Sequence, residues 1–313
     1  MAGARGARPM SRRQKRYRIL DVFTDTPYGG NPLALLPEAE GLNGRQMQLI
    51  AREFNLSETA FVLPPRNKGE THRLRIFTPT RELPFAGHPT VGAALALAEE
   101  GWTDTEFVFG EGVGPVRVTL RQQKHLKSAW LWAAMQPEQG PPAPPAEALA
   151  AIISLRPTDL LAGDWGPAMV SAGVPYLVIP LRDTDALARA ELDFNRWREI
   201  LKDSWADQVY LVAPLDGPRG TRYRARMFAP GMGIPEDSAT GSAATAFPGW
   251  LVPRLGLTDG VFTVQIEQGI EMGRPSTMMI EVELKAGAIT MVRVGGTAVS
   301  VASGTIHAPE ISE

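Results

Sequence analysis

The stretch "ELPFAGHPTVGAALALAEEG", residues 82–101, places a histidine between a glycine and a proline and then becomes almost wholly small and apolar. Pro89 suits the first helical position, where its missing N–H costs nothing, so we expect His88 at or just before the N-cap. From Pro89 to Glu100 the predicted helix has no polar face, and a helix that is apolar on every side belongs inside a core. The stretch therefore predicts a buried central helix with His88 at its N-terminus.

The same arrangement recurs later in the chain. The segment "RIFTPTRELP" at 75–84 precedes the first helix, and "RMFAPGMGIP" at 226–235 precedes a second small-residue helix that opens with "GSAATA" at Gly241. Upstream, "GNPLALLP" at 30–37 is echoed by "GVPYLVIP" at 173–180. Three matches in the same order indicate an internal repeat and hence two similar halves.

Strand-like segments dominate both halves, so the sequence predicts an α+β fold of two similar, pseudo-symmetric domains, each a barrel-like, mostly antiparallel sheet around one central helix. The proline-rich stretch at 136–147 cannot sit in a helix interior or a central strand, and it predicts the linker between the domains. We therefore expect an N-terminal domain at 17–134 together with the segment 295–310, and a C-terminal domain at 135–294.

The end of the chain is expected to return to the first domain. The segment "VGGTAVSVASGTIHA" predicts a turn at Gly295 and Gly296 followed by an alternating strand. A sheet edge left without a partner exposes its hydrogen-bonding groups, and the patterned part of the first domain begins at Tyr17 with no strand before it. We therefore expect 298–306 to pair within the first domain, which would limit how far a cleft between the domains can open.

Composition sets the broad class of protein. The chain has 313 residues, enough for two domains, with 44% hydrophobic and 21% charged residues. A formal net charge of −2 gives no basic footprint for nucleic acid, and no segment approaches the ~18 apolar residues of a membrane span. The sequence contains no cysteine, which excludes disulfides and thiolate chemistry and suits the cytoplasm. Residues 1–16 are basic without a signal-peptide core, so we expect a disordered tail, with Met10 as an alternative start.

The N-terminal first turns of the two predicted central helices, which begin near Gly87 and Gly241 and are called the helix mouths below, have the chemistry of an anion site. Helix N-termini present unpaired N–H groups and a partial positive charge, and Gly87 and Gly241 allow a ligand carboxylate to approach that backbone closely. Ser242 can cap the second helix or donate a hydrogen bond to a ligand. Two such mouths facing each other across a domain interface would form a paired anion-binding cleft, so a small carboxylate is the expected partner.

Ionisable side chains beside the two mouths could move a proton. Glu58 stands at the entrance to an apolar strand, and Glu236 and Asp237 come immediately before the second mouth. Carboxylates at strand ends and helix starts are also ordinary helix caps. A histidine near an N-cap can likewise be purely structural, so its position alone does not establish a catalytic role. Together, Glu58, Asp237 and His88 would supply an acid, a base and an orienting imidazole. Four scattered histidines and no cysteine give no metal-ligand spacing, so no metal is expected.

The motifs "FTPTRELPFAGHPTVGAA", "NLSETAFV", "RMFAPGMGIPEDSATGSAA" and "EQGIEMGRPS" resemble the PhzF phenazine-biosynthesis-like family, relatives of diaminopimelate epimerase. The resemblance runs in order from about Tyr17 to Ile306, nearly the whole chain. It implies two similar domains with the active site between them, and an isomerase that acts without metal or cofactor. It also implies a homodimer.

The resemblance assigns roles to individual residues. Glu58, in "NLSET", matches the family's catalytic acid/base, and His88 and Asp237 match polar partners that line the cleft. The positions that match groups near the substrate carboxylate are Gly87, Gly241 and Ser242. The expected reaction moves a carbon-bound proton on a small cyclic or amino-acid-like carboxylate. Two alternatives stay open: a non-catalytic binding protein that has kept the cleft, and a two-base amino-acid epimerase.

Two positions depart from the family pattern. Ser238 stands where the family usually has proline, which would loosen the loop that holds Asp237. Pro248 and Gly249 fall where the second central helix should continue, and an interior proline removes a hydrogen bond at a cost of ~3 kcal/mol or more. The second central helix is therefore expected to be short or kinked.

Overall fold

The computed structural model describes residues 14–123 and 126–310. Residues 1–13, with Met10, lie outside the described residues. A strand begins at Gln14, so the predicted tail, which extended to Arg16, is too long. No helix in the described ranges is long and apolar enough to cross a membrane.

The first half of the described chain is a sheet that packs around one buried helix. Its elements are β1 (Gln14–Val22), β2 (Asn31–Leu36), α1 (Gly44–Phe54), β3 (Glu58–Leu63), β4 (His72–Phe77), β5 (Glu82–Leu83), α2 (Gly87–Glu99), β6 (Glu106–Glu111), β7 (Gly114–Gln123) and β8 (Leu126–Trp132). β1 is antiparallel to β2, β2 parallel to β3, β3 antiparallel to β4, and β4 parallel to β6. β6, β7 and β8 follow as an antiparallel meander, and α2 is the buried helix.

The second half repeats this design. Its elements are β9 (Glu138–Gln139), α3 (Ala146–Ile152), β10 (Ala168–Ser171), β11 (Pro175–Pro180), α4 (Thr184–Arg189), α5 (Phe194–Ile200), β12 (Gln208–Pro214), β13 (Arg222–Ala229), β14 (Ile234–Asp237), α6 (Gly241–Leu255), β15 (Gly260–Gln268), β16 (Ser276–Lys285), β17 (Ala288–Gly296) and β18 (Ala298–His307). The pairings from β10 to β17 follow the same order of antiparallel and parallel steps as those from β1 to β8. The repeat in the sequence is thus a repeat in the fold.

The two halves exchange strands at their ends. β18 pairs antiparallel with β1 from end to end, with Gln14 opposite His307 and Val22 opposite Ala298. The predicted return of the chain end to the first half is therefore confirmed. β9, inside the proline-rich linker, pairs with β10 in the corresponding way, and β8 pairs with β17. The β1–β18 and β8–β17 pairings tie the halves together, while the boundaries of the two domains stay a prediction.

The two glycines before β18 do not form the predicted turn. β17 continues through Gly295 and Gly296, and the strands are separated only at Thr297. A Cβ atom on Gly295 would lie 2.4 Å from Cδ2 of Trp130, and one on Gly296 would lie 2.6 Å from Cδ1 of Phe23. The glycines therefore make room for two aromatic rings inside a continuous strand.

The first central helix begins earlier than the sequence indicated. Ala86 is the N-cap of α2, so His88 is the second helical residue and Pro89 the third. Proline is accommodated there because the first N–H groups of a helix have no partner inside the helix. Residues 87–98 are all buried, as expected for a helix without a polar face.

The second central helix is not shortened by its prolines. α6 is continuous over 15 residues with Pro248 inside it, so of the two expectations the short helix is wrong, while a kink stays a prediction. The helix is buried along most of its length, and the rings of Phe247 and Trp250 stack with centroids 5.4 Å apart. This apolar burial offsets the hydrogen bond that the proline removes. A Cβ atom on Gly249 would lie 3.1 Å from Cβ of Pro137, so this glycine makes room for the linker.

The peripheral elements were predicted unevenly. Asn43 forms a capping box with Gln46 at the start of α1, and Asp193 caps α5; both residues are of types that favour the N-cap. The elements that the sequence analysis missed are α3, α4, β5, β6, β8, β9, β10 and β14. Most of these are short, and such elements leave little periodicity to recognise.

Candidate active site

A cavity of about 280 Å³ opens at the N-termini of α2 and α6. Its wall contains every residue that the sequence analysis singled out as catalytic or substrate-binding: Glu58, Gly87, His88, Asp237, Gly241 and Ser242. The start of β3 and the end of β14 supply the two carboxylates, and the first turns of the two central helices supply the rest. The fold thus brings these residues together, while their roles stay predictions.

The two helix mouths approach each other at their glycines. A Cβ atom on Gly87 would lie only 3.3 Å from Cα of Gly241, so this spacing suits residues without side chains. The N-caps, Ala86 and Thr240, make no side-chain hydrogen bond to their helices. The first-turn N–H groups therefore lack a capping side chain, and the positive ends of two helix dipoles meet at one cavity. This arrangement suits a carboxylate.

Ser242 is held by a tyrosine that the sequence analysis missed. Ser242 is the second residue of α6 and does not cap it, so of its two expected roles only donation to a ligand stays a prediction. Its Oγ lies 2.6 Å from the hydroxyl oxygen of Tyr176, which also lines the cavity. Burial raises the pKa of Tyr176 far above its usual range, so this hydroxyl keeps its proton. Tyr176 occupies in "GVPYLVIP" the place of Leu33 in "GNPLALLP", and comparison of the repeats could have singled it out.

Glu58 is a buried carboxyl with a raised pKa. Its side chain is 10% exposed. Burial, and secondarily the negative charge of Asp237, raise the pKa of Glu58 from 4.5 to about 8. Glu58 is therefore mostly protonated at pH 7, yet its ionised form is accessible within about one pH unit. A carboxyl tuned in this way can both take a proton from carbon and return it.

His88 faces Glu58 as a neutral imidazole. Its Nε2 lies 3.3 Å from Oε2 of Glu58. Burial lowers the pKa of His88 to about 3, although a hydrogen bond with the carbonyl of Pro32 opposes the shift, so this contact is not an ion pair at neutral pH. The two atoms are close but poorly oriented, and neither has a hydrogen-bond partner among the described residues. Because buried polar atoms are normally satisfied, this pair points to a ligand in the cavity.

Asp237 is fixed by donors on both carboxylate oxygens. Oδ1 accepts a hydrogen bond from Nδ2 of Asn31 at 2.8 Å, and Oδ2 accepts one from Oγ1 of Thr240 at 2.7 Å. Burial raises the pKa of Asp237 to about 6, and these hydrogen bonds oppose the shift. Asp237 is therefore ionised at pH 7 while Glu58 keeps its proton. Gln268 donates to the backbone carbonyl of Asp237 at 2.8 Å and so fixes its position further.

Ser238 fastens the loop that it was expected to loosen. Its buried Oγ donates a hydrogen bond to the carbonyl of Gly30 at 3.1 Å, so the prediction drawn from the missing proline is wrong. Nε of Arg274 donates to the same carbonyl at 2.8 Å, and Asn31 donates to the carbonyl of Ala239 at 3.0 Å. The turn before β2 in the first half therefore holds the loop before α6 in the second half.

The repeat places one acid and one amide at equivalent positions. Glu58 lies opposite Leu33 at the start of β3, and Gln208 lies opposite Tyr176 at the start of β12. Gln208 also lines the cavity, but a carboxamide cannot accept or release a proton at neutral pH as a carboxyl can. Of this symmetric pair, only Glu58 can act as an acid or base.

A second glutamate, Glu111, is half-buried and supports α2 away from the cavity. Oε1 of Glu111 lies 2.7 Å from Oγ1 of Thr90, and that hydroxyl lies 2.8 Å from the carbonyl oxygen of Ala86. The single hydroxyl proton of Thr90 cannot serve both acceptors, so a protonated Glu111 is needed to donate to Thr90. Burial raises the pKa of Glu111 to about 8, in agreement.

Among the described residues, no three His, Asp or Glu side chains are grouped as metal ligands.

Glu111→Gln is expected to stabilise the protein at alkaline pH and to change it little at pH 5. Because the pKa of Glu111 is raised in the folded state, the stability that its proton provides is lost as the pH rises from about 4.5 to about 8, at roughly 1 kcal/mol per pH unit. Glutamine keeps a donor for Thr90 and does not ionise. Urea unfolding at pH 5 and pH 8.5 measures the difference. An unchanged loss of stability between these pH values would contradict the raised pKa.

Comparison with known proteins places the chain in a family. The sequence profile of the family described as phenazine biosynthesis-like protein matches residues 20–304. An uncharacterised isomerase of Mesorhizobium japonicum is 41% identical over 297 residues, covering 93% of this chain and 98% of the relative. The trans-2,3-dihydro-3-hydroxyanthranilate isomerase of Pseudomonas fluorescens is 38% identical over 298 residues, covering 93% and 98%. The protein is thus an isomerase. The chain belongs to the phenazine biosynthesis-like protein family.

Solved structures share the fold. A PhzF-family phenazine biosynthesis protein of Bacillus anthracis superposes with a TM-score of 0.84 at 24% identity, covering 94% of this chain and 99% of that one. A hydroxyproline epimerase of Agrobacterium vitis, solved with trans-4-hydroxy-L-proline, superposes with a TM-score of 0.60 at 12% identity, covering 95% and 93%. At these identities the likeness concerns the fold alone. The predicted fold class, two similar halves of the diaminopimelate epimerase type, is confirmed.

Proposed function

We propose that the protein moves a carbon-bound proton on a small cyclic or amino-acid-like carboxylate, with Glu58 as the general acid/base in the cavity between the two halves. One observation carries the proposal. Glu58 is a buried carboxyl with a pKa near neutrality, and it lines the same cavity as two helix mouths that lack capping side chains. A proton donor and acceptor thus stands beside an anion site.

The proposed reaction balances without an oxidant, reductant or added cofactor. Ionised Glu58 removes a proton from carbon, and the electrons of the broken C–H bond move into the π system conjugated with the substrate carboxylate. The N–H groups of Gly87, Gly241 and Ser242 stabilise the negative charge that develops there. Glu58 then returns the proton to a different carbon, and the double bond shifts.

Asp237 and His88 would orient the substrate. Asp237 is ionised at pH 7, so it can accept a hydrogen bond from an amine or hydroxyl of the substrate. His88 is neutral, and its Nε2 lacks a partner among the described residues, so it can accept a hydrogen bond from the substrate or from protonated Glu58. Both would hold the reacting carbon beside Glu58.

The amide at Gln208 favours isomerisation over two-base epimerisation. Inversion at one carbon needs an acid and a base on opposite faces of that carbon. Glu58 has a raised pKa that suits proton transfer, whereas the equivalent residue in the other half, Gln208, has a carboxamide that cannot act as an acid or a base. A single group that removes and returns a proton suits double-bond migration.

Deuterium exchange from solvent tests the proposal. The protein is incubated in D₂O with trans-2,3-dihydro-3-hydroxyanthranilate, the compound named for the Pseudomonas fluorescens relative, and with a panel of small cyclic and amino-acid carboxylates. We expect deuterium on carbon together with a shifted double bond, observed by mass spectrometry and NMR. Binding without exchange of any bound acid would favour the non-catalytic alternative, and inversion at one carbon would favour the epimerase. The homodimer and the cytoplasmic location stay predictions.

A further inference from the structure

Arg81 places a cation at the rim of the cavity without a protein anion to pair with it. The residue lies in the turn "TPTREL" between β4 and β5, is exposed and lines the cavity. Among the described residues, no carboxylate or other acceptor contacts its guanidinium group, whereas the nearby Arg75 forms an ion pair with Glu82. Its charge is therefore available to a ligand.

The backbone that carries Arg81 is fixed. The N–H of Thr78 donates to the carbonyl of Arg81 at 2.8 Å, and the N–H of Arg81 donates to Oγ1 of Thr78 at 3.1 Å. Gln48, on α1, donates to the carbonyl of Thr78 at 2.9 Å and anchors the turn to the body of the first half. The side chain of Arg81 thus projects from a defined point of the rim.

The neighbouring glutamate does not neutralise Arg81. Glu82 accepts two hydrogen bonds from Arg75, both at 2.6 Å. Successive side chains of an extended segment point to opposite faces, and Leu83, two residues after Arg81, lines the cavity again. Arg81 and Leu83 therefore share the cavity side of the turn, and Glu82 lies on the other side.

The cavity has an apolar wall in addition to its charged groups. The larger apolar side chains that line it include Leu83, Phe85, Val174, Met227, Met232 and Ile234. A ligand with one carboxylate at the helix mouths would lay its carbon frame against this wall. A second anionic group on such a ligand would find Arg81 as the one cationic side chain among the lining residues.

We propose that Arg81 selects substrates that carry a second carboxylate, so that the substrate class is a small dicarboxylic acid. The inference rests on the proposed function, because it takes this cavity as the substrate site. The helix mouths bind the first carboxylate through N–H groups, and the guanidinium group of Arg81 binds the second through paired N–H donors.

Matched acids and two arginine variants test the inference by isothermal titration calorimetry on the full chain. The acid pairs are glutarate with pentanoate, adipate with hexanoate, and cis-cyclohexane-1,3-dicarboxylate with cyclohexanecarboxylate. We expect at least one dicarboxylate to bind about tenfold or more tightly than its monocarboxylate partner, and Arg81→Gln to remove that advantage. Arg75→Gln, on the other side of the turn, is the control and should keep it. An equal loss for both acids of a pair, or no preference for any dicarboxylate, would overturn the inference.

Deuterium exchange on unsaturated acids of matching length, such as glutaconate with pent-3-enoate, separates this inference from the proposed function, because the proposed reaction needs a C–H bond next to a double bond. Binding of a dicarboxylate that depends on Arg81, without any exchange, would support the inference and contradict the isomerase chemistry. Exchange whose KM is the same in wild type and Arg81→Gln would contradict the inference and leave the isomerase chemistry in place. The two ideas can therefore fail independently.

Discussion

Glu58→Gln is expected to lose solvent-deuterium exchange by about 10²–10⁴-fold, the range typical for removal of a general acid/base. Glutamine has almost the shape of a protonated glutamate, so the buried site should keep its packing. It cannot accept a proton from carbon, and no other acid stands at the equivalent position, where the residue is Gln208. The rate of exchange on an acid that the wild type turns over measures the loss, and circular dichroism verifies the fold.

Glu111→Gln is the matched control for this experiment. Glu111 is a half-buried glutamate whose pKa is also raised to about 8, but it does not line the cavity. The control should exchange at close to the wild-type rate. Exchange in Glu58→Gln that equals the wild type would make the assignment of Glu58 wrong. A similar loss in both variants would show that burial of a carboxyl, and not its place in the cavity, is what matters.

Asp237→Asn is expected to lower the rate of exchange by about 10–100-fold and to move its pH dependence toward acid. The variant loses the charged acceptor proposed for the substrate's amine or hydroxyl. It also removes the negative charge that raises the pKa of Glu58. Asparagine can keep its oxygen toward Asn31 and turn its amide toward Thr240, whose hydroxyl can accept, so the local hydrogen bonds survive.

The pH profile of kcat/KM measures this effect. Proton removal needs ionised Glu58, so the wild-type value should rise with pH and level off above about 8. In Asp237→Asn the same rise should occur at lower pH, because ionising Glu58 no longer opposes a neighbouring charge. A midpoint that stays in place, or that moves to higher pH, would contradict the coupling of the two carboxylates.

The sequence alone predicted those features of the fold that depend on neighbouring residues in the chain. A glycine followed by a polar residue and a run of mostly small, apolar residues marks the start of each central helix, so Gly87 and Gly241 could be located from the sequence alone. The groups that orient the site were not visible. Asn31 reaches Asp237, and Tyr176 reaches the cavity, because β2 and β11 pair beside β3 and β12, and such contacts join residues that are distant in sequence.

Local rules gave wrong expectations where packing decides the outcome. Pro248 was expected to shorten or kink its helix, but it lies inside a continuous helix that is buried along most of its length. Gly295 and Gly296 were read as a turn, but they accommodate aromatic rings in a strand. Ser238 was expected to loosen its loop, but its hydroxyl donates a hydrogen bond to the carbonyl of Gly30 in the other half and so fixes the loop. In each position the tertiary environment overrides the intrinsic preference of the residue.

A ¹³C NMR titration of the Glu58 side-chain carboxyl tests the central claim most directly, namely that this one buried group exchanges its proton near neutral pH. Glutamate labelled at the carboxyl carbon gives the signal, and its absence from the spectrum of Glu58→Gln assigns it. We predict a midpoint near pH 8, moved to lower pH in Asp237→Asn. A midpoint near the ordinary value of 4.5 would contradict the claim, because Glu58 would then be a fully ionised carboxylate with little tendency to hold a proton between its removal and its return.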